Sequence, residues 1–324
     1  SSSDFFAPAL ARFGNRETVS FFERIGVPLT IERGERVFPA SGRAWDIADA
    51  HVRWSREQGA QIVCHTRVTE VHTAGGRVSG VTLSTARNDS ERVTASCVLL
   101  ATGGASYPAT GSTGDGYKLA QQAGHTLVEP VPSLVSLVSH DPDCKKMMGL
   151  ALKNVTLTLL EDGKAIFDEQ GEMLFTHFGI SGPLTLSASS HLGDMKKHKY
   201  HAEIDLKPAL SEEQLYDRIT RDFALLANHA AQGALVKLLP SSMQPVMVAR
   251  WGIDPATRAN QITREQKREL VQLVKHWQVS IDARGDLAHA VITSGGVSVR
   301  EVDPKTMQSI RFNQRKGRKS HHIC

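Results

Sequence analysis

Cysteine, long apolar runs and the short motifs of common hydrolase and nucleotide chemistry are what this sequence has least of. Its four cysteines, Cys64, Cys97, Cys144 and Cys324, form no Cys-x-x-Cys pair. That argues against a thiol-ligated zinc framework. Two of them lie in strand-like apolar runs, so they read as reduced packing residues of a cytoplasmic protein. No apolar stretch approaches the roughly 20 residues needed to cross a bilayer. The opening "SSSDFFAPAL" shows no basic segment leading into an apolar core. The expectation is a cytoplasmic chain with no membrane partner. No G-x-S-x-G elbow and no P-loop is present. The histidines, the His321-His322 pair included, lack Cys, Asp or Glu partners at ligand spacing, so no metal is expected.

Excess charge is also scarce once it is located. The whole chain carries +4, but Arg311, Arg315, Lys316, Arg318 and Lys319 sit together in the acid-free end "RFNQRKGRKSHHIC". Without those five the remainder stands at −1. A short basic tail reads as a solvated end, and nucleic-acid binding needs a larger patch. No nucleic-acid partner is expected.

What is present is an ordinary core-forming composition, 40% hydrophobic and 22% charged over 324 residues. That is enough for two domains, or for one domain with a large insertion. The first third alternates helix and strand signals. "RETVSFFERIG" sets Val19, Phe22 and Ile25 on one helical face, "VPLTIERGERVFPA" reads as two short strands around Gly34, and "GRAWDIADAHVRWSREQGA" is helical again. "QIVCHTRVTEVHT" is extended and turns at "AGGR" into "VSGVTLSTA". The run Val98-Leu99-Leu100-Ala101 reads as a strand buried on both faces of a parallel sheet. From about residue 134 the texture is β-rich, with a turn at Glu161-Asp162-Gly163. Residues 211–277 are mainly helical, in three segments opened by "SEEQ", "GALVKLLP" and "ITREQKRELVQLVKHW". Strand-like sequence then returns. The fold class is α/β, divided as 1–133 with 278–310, a β-rich insertion 134–210, a helical insertion 211–277 and an irregular basic tail 311–324.

The densest signal is "ATGGASYPATGSTGDGYKLAQQAGH", residues 101–125. Glycines after an apolar strand let main chain approach a ligand at the carboxyl edge of a sheet. Gly114 and Gly116 flank a helix start whose free N–H groups favour anions or carbonyl oxygens. Tight turns alone account for the bare pattern equally well.

The longer string "VLLATGGASYPATGSTGDGYKLAQQAGHTLVEPVPSLVSL" resembles the signature of BaiN-like, aminoacetone-oxidase-like FAD-binding oxidoreductases. "ERGERVFPASGRAWDI", "FTHFGISGPLTLSAS" and "AVITSGGVSVREVDPKTMQS" resemble the same family in the same order, up to about Ser309. The resemblance implies a glutathione-reductase-like FAD-binding Rossmann domain interrupted by a β-barrel-like insertion and a helical one. It also implies FAD as cofactor, a small-molecule amine or carbonyl substrate, and NAD(P)H or oxygen as redox partner. Onto this sequence it carries cofactor contacts at Ala101, Thr102, Gly103 and Gly104, at Val68 through its backbone, and at Thr293, Ser294, Gly295, Gly296 and Val297. Arg36 and Tyr107 are substrate candidates, each also readable as a surface or packing residue, and His177 reads as structural. The flavin would carry the redox step, so no acid–base residue is singled out.

Two departures from the family pattern stand out. The sequence contains no G-x-G-x-x-G, the loop that holds a dinucleotide pyrophosphate. After "MQSI" it shows no glycine turn and helix to close over a flavin. The expectation is an incomplete fragment with a frameshifted end, which purifies colourless. A non-catalytic binding module and an inactive remnant are the alternatives.

Overall fold

A computed structural model of the chain describes residues 4–32, 35–85, 87 and 89–312. Gly34, Cys324, the His321-His322 pair and all of the basic tail beyond Phe312 lie outside the described residues. The chain divides into two compact units. The first takes residues 4–102, 114–129 and 295–312, and the second takes 103–113 and 130–294.

The first unit begins with α1 (Ala7–Arg12) and α2 (Asn15–Arg24). As its periodicity predicts, α2 ends where Gly26 takes a left-handed φ of 91°. Strands β1 (Leu29–Glu32) and β2 (Arg36–Pro39) pair antiparallel, and α3 (Ala44–Glu57) follows. Phe21 packs edge-on against Trp54 at 5.0 Å, joining α2 to α3. Strands β3 (Thr66–Ala74), β4 (Arg77–Thr85) and β5 (Ser90–Thr94) make an antiparallel sheet in that order. The β3–β4 turn is Gly75-Gly76, both at positive φ, as a two-residue hairpin requires. The eight-residue helix α4 (Asp115–Gln122) and strand β6 (Leu127–Ser133) come next.

One expectation fails here. Residues 98–101 are not a buried parallel strand: Leu99 is 84% exposed and Leu100 40%. A strand exists only where neighbours take up its N–H and C=O groups. Among the described residues, none of 98–104 makes a backbone–backbone hydrogen bond. The thiols of Cys64 and Cys97 are likewise exposed where packing was expected.

Glu301 organises the end of this unit. Its carboxylate accepts from the Thr126 backbone N–H at 2.9 Å, the Thr126 hydroxyl at 2.9 Å and Arg311 at 2.6 Å, and meets His125 Nδ1 at 3.0 Å. Chiefly the Arg311 hydrogen bond, then the Thr126 N–H, hold its carboxyl well below the usual carboxylate range. A lowered folded-state pKa means that this contact contributes fully above the ordinary value of about 4.3 and weakens as pH falls below it. The amide of Thr126 therefore keeps its hydrogen-exchange protection down to about pH 3 and loses it only in stronger acid, where the folded carboxyl takes up its proton. In Glu301→Gln that pH dependence disappears.

The second unit is built on a barrel. Strands β7 (Leu137–Val138), β8 (Ala151–Glu161), β9 (Lys164–Thr176), β10 (Gly179–Ser181) and β11 (Tyr200–Asp205) are interleaved with α5 (Pro142–Lys146) and α6 (Pro183–Ser189). Helices α7 (Glu212–Leu225), α8 (Ala231–Ala234), α9 (Gln244–Trp251) and α10 (Arg264–Lys275) precede β12 (Trp277–Ile281) and β13 (Ala283–Arg284). The sheet order is β12-β11-β8-β9-β10-β7-β13. Its two edges, β12 and β13, are consecutive and separated by Asp282 alone, so one bent strand closes the sheet on itself. Period-2 burial fills the interior with Leu157, Leu159, Phe175, Ile204, Trp277 and Val279. Each such side chain contributes about 1.5–3 kcal/mol on burial.

The closing strand corrects a boundary. Residues 277–284 complete the barrel, although sequence texture placed 278 onward with the first unit. The helical reading of 211–277 fares unevenly. Ser211 and Thr263 cap α7 and α10 in reciprocal capping boxes with Gln214 and Gln266. "GALVKLLP", however, is mostly turn beyond Ala234, and the helix lies further on, in α9. Leu215, Ile219 and Phe223 of α7 and Leu270, Val271 and Val274 of α10 are buried at helical spacing.

Strand β14 (Ile292–Val297) pairs with β6, and the chain passes from one unit to the other within both strands.

Candidate functional site

In the barrel unit, the glycine loop and the segment that returns after β13 meet through one hydroxyl. Thr293 Oγ1 accepts from the backbone N–H groups of Ala105 at 2.9 Å and Ser106 at 3.0 Å, and donates to Ser106 Oγ at 3.1 Å. Two segments 188 residues apart in sequence are thereby held together. Both belong to the set that the sequence singled out.

The loop itself is a series of left-handed turns. Gly103 has φ of 71° and Gly111 of 101°. A Cβ on Gly103 would meet Ser112 Oγ at 3.0 Å, so its glycine has a local cause in turn geometry besides any approach by a ligand. Gly111 faces open space. Tyr107 carries φ of 50°, and the 3₁₀ turn Pro108–Thr110 follows it. Its carbonyl accepts from the Thr110 N–H at 2.9 Å and the Thr110 hydroxyl at 2.7 Å. Tyr107 is 48% exposed, so the packed-aromatic reading does not hold. Gly103, Gly104, Tyr107, Thr293 and Ser294 all fall in this unit.

Replacing Thr293 with Val keeps the shape and leaves two half-buried N–H groups without their acceptor. Each loses about 1–3 kcal/mol of satisfaction if water does not replace the hydroxyl. Thr293→Val is expected to raise hydrogen exchange at Ala105 and Ser106 while the barrel melts unchanged.

The other candidates belong to the first unit. Ala101 and Thr102 are exposed, and Thr102 Oγ1 presses on the Cα of Gly116 so closely that a Cβ there has no room. That glycine lets the first turn of α4 lie against the 101–102 segment. Gly295, at φ 91°, would drive a Cβ into the Glu129 carbonyl, and Gly296, at φ 100°, would bring one within 2.9 Å of the Tyr117 ring. The TSGGV glycines therefore serve close approach of β14 to its neighbours. Val297 is half-buried beside them. Val68 pairs with Leu83 on the edge strand β3, next to a bulge at Thr69. Arg36 is exposed on β2 and engaged by a neighbouring group.

His177 is exposed at the β9–β10 turn, its ring edge-on to Phe178 at 4.9 Å. Among the described residues no group of His, Cys, Asp or Glu is arranged to hold a metal, and no helix is long and apolar enough to cross a membrane.

Sequence reasoning missed the cluster around Arg250. Its guanidinium bonds Asp143 at 2.7 Å, Asp141 at 2.5 Å and the Gln278 carbonyl at 2.8 Å, and stacks 3.8 Å from the centre of the Trp277 ring. Burial alone would raise the Asp143 carboxyl, but hydrogen bonds from Lys146 and Arg250 hold it below its ordinary value. Burial, aided by Asp141, pushes the adjacent Cys144 thiol up to about 11, which leaves it inert. Nothing in the spacing of these residues announces the cluster, because α5, α9 and β12 converge only in the fold.

Residues 131–292 match the model of the "HI0933-like protein barrel and H2TH domain". The chain is 27% identical over 308 residues to a 3-dehydro-bile acid delta(4,6)-reductase of Clostridium scindens, covering 94% of this chain and 73% of that protein. It is also 27% identical over 309 residues to a ribosomal RNA dihydrouridine synthase of Haemophilus influenzae, with the same coverage. A solved flavocytochrome c3 fumarate reductase in its open conformation shares 22% identity at a TM-score of 0.30, over 42% of this chain and 30% of that one. That last similarity is too low to bear on the fold.

Proposed function

The chain belongs to the HI0933-like family, the BaiN-like group of oxidoreductases, and from that premise we propose that it serves a flavin-dependent reduction of a carbon–carbon double bond conjugated to a carbonyl. The reaction class is supported by what the two relatives' names share chemically. A 3-dehydro-bile acid with 4,6-unsaturation and a uracil ring each present a C=C in conjugation with a C=O. This narrows the amine-or-carbonyl expectation to an unsaturated carbonyl compound. FAD is the flavin proposed. When bound it would supply hydride to the carbon remote from the carbonyl, a proton from solvent completing the reduction at the neighbouring carbon, with NAD(P)H as electron source and oxygen as the competing acceptor.

The observation that carries the reading is the Thr293 hydroxyl on the Ala105 and Ser106 N–H groups, which unites the two segments that the resemblance places at the flavin. The residues fit part of that cofactor. Among the described residues the main chain of 98–104 makes no backbone–backbone hydrogen bond, and at Gly103 and Gly104 it offers donors and acceptors without side-chain bulk, which suits a ring and a polyol chain. Nothing here fits the pyrophosphate, because no G-x-G-x-x-G loop opens a helix. In the barrel unit Gly103, Gly104, Thr293 and Ser294 are proposed contacts. In the first unit Val68, Ala101, Thr102, Gly295, Gly296 and Val297 keep that proposed role, and that unit is assigned to a glutathione-reductase-like Rossmann domain. Arg36 is proposed as a substrate contact and the cytoplasm as location. The chain is proposed to take up FAD when FAD is supplied.

A small substrate is favoured over RNA by charge. Residues 131–292 carry 18 Lys and Arg against 19 Asp and Glu, and strong RNA binding needs a basic face. The test is anaerobic: FAD-loaded protein is reduced, then mixed with 2-cyclohexen-1-one or with cyclohexanone. The proposal predicts reoxidation with formation of cyclohexanone from the enone, and none with the saturated ketone. Equal rates with both, or no reoxidation by either, would refute it.

A further inference from the structure

We propose that Tyr107 selects flat substrates, its ring acting as a stacking surface for a six-membered unsaturated carbonyl ring. The inference rests on the reading of the chain as a conjugated-carbonyl reductase. It starts from a conflict in the loop. Tyr107 occupies the left-handed region at φ 50°, which is costly for a bulky side chain and free for glycine. Neighbouring groups enforce that conformation from both sides. Thr110 puts its N–H and its hydroxyl on the Tyr107 carbonyl, and Thr293 holds the preceding Ala105 and Ser106 N–H groups. The rigid ring of Pro108 follows, and its carbonyl accepts from Gly111 N–H at 3.0 Å.

None of this holds the side chain itself in place. Tyr107 is 48% exposed, and among the described residues its ring stacks on no other aromatic and its hydroxyl makes no hydrogen bond. Gly or Asn would take this conformation at less cost, although Leu134 and Met307 share it in this chain. Strained backbone at a bulky residue, over-determined by its surroundings, marks positions kept for a ligand. The chemistry on offer is an aromatic face three residues from Gly104, suited to a planar π-system and poorly suited to a puckered saturated ring.

The test uses the full chain, with ring-labelled tyrosine followed by NMR, titrated with androst-4-ene-3,17-dione, its 4,5-saturated counterpart, and uridine. The expected result is a shift change at the Tyr107 ring signals and upfield movement of the ring-A protons of the unsaturated steroid, which lie over the shielding face of the tyrosine. Binding of that steroid weakens about tenfold in Tyr107→Leu and stays close to wild type in Tyr107→Phe. Tyr107→Gly, which relieves the backbone conflict, melts no lower than wild type yet shows the same loss. Equal affinity in Tyr107→Leu, or a wild-type protein that binds none of the three probes, would overturn the proposal. Two further outcomes separate it from the reading it rests on. Tyr107-dependent steroid binding in a protein that takes up no flavin leaves the stacking surface standing and removes the reductase. Enone turnover with KM unchanged in Tyr107→Leu does the reverse.

Discussion

Arg250→Ala lowers the melting temperature of the barrel unit by about 6–12 °C, the shift expected when about 3 kcal/mol is lost from a domain of this size. The size follows from what the guanidinium leaves behind. Asp141 and Asp143 are 18% and 13% exposed as side chains, and both direct an oxygen at Arg250. Without the cation, Asp141 loses its ion-pair partner and Asp143 keeps only Lys146, so two largely buried carboxylates are left with a single ammonium. The Trp277 ring loses its stacking partner, and the Gln278 carbonyl loses a donor. Three elements, α5, α9 and β12, come apart at one point, and β12 is half of the bent strand that closes the barrel. Arg250→Lys recovers only part of the loss, because an ammonium cannot bond both carboxylates and stack on the indole together. The combined change Arg250→Met with Asp141→Asn and Asp143→Asn removes the stranded charge and restores much of the stability. A calorimetric scan of the three proteins decides the point. A shift within a degree or two for Arg250→Ala would mean that the cluster is ornamental.

That cluster also shows where the sequence was legible and where it was not. Local chemistry announced itself well. Ser211 and Thr263 stand three residues before glutamine and cap α7 and α10, Gly75-Gly76 turns β3 into β4, and Gly26 ends α2. Each is fixed within a few residues by side chain or φ preference. The barrel's alternation of buried and exposed positions was likewise readable, since a strand needs no distant information to declare its two faces. Closure was not. Residues 277–284 look like any strand returning to an α/β sheet, and only their ladders with β11 and β7 assign them to the barrel. The run Val98-Leu99-Leu100-Ala101 shows the opposite error. Its apolarity is that of a buried strand, but pairing is a property of neighbours, and among the described residues none lies alongside it. Of the candidate site, the sequence identified Thr293 and the glycine loop as belonging together. It did not show that Gly295, Gly296 and Gly116 are glycines because of Glu129, Tyr117 and Thr102.

Gly104→Val abolishes flavin uptake and leaves the melting of the barrel unchanged. Gly103 is the less informative position, because its φ of 71° and the nearness of Ser112 strain any side chain there whether or not a cofactor approaches. Gly104 does not adopt the left-handed conformation, so a valine there is not opposed by the backbone in the same way. It sits in the main-chain segment that makes no backbone–backbone hydrogen bond among the described residues and is proposed to meet the flavin directly. A branched side chain at that point would occupy the volume the cofactor needs, while the buried core of Leu157, Phe175 and Trp277 remains intact. Visible absorbance of protein separated from free FAD gives the loading, and the thermal transition reports the fold. Loading equal to wild type in Gly104→Val would place the flavin elsewhere on the chain or remove it altogether.

The most direct measurement is equilibrium dialysis of the purified protein against increasing FAD and, separately, FMN. The account predicts saturable uptake approaching one flavin per chain, weakened by Thr293→Val and absent in Gly104→Val. Protein whose barrel melts cooperatively but which retains no flavin of either kind at any concentration would contradict it.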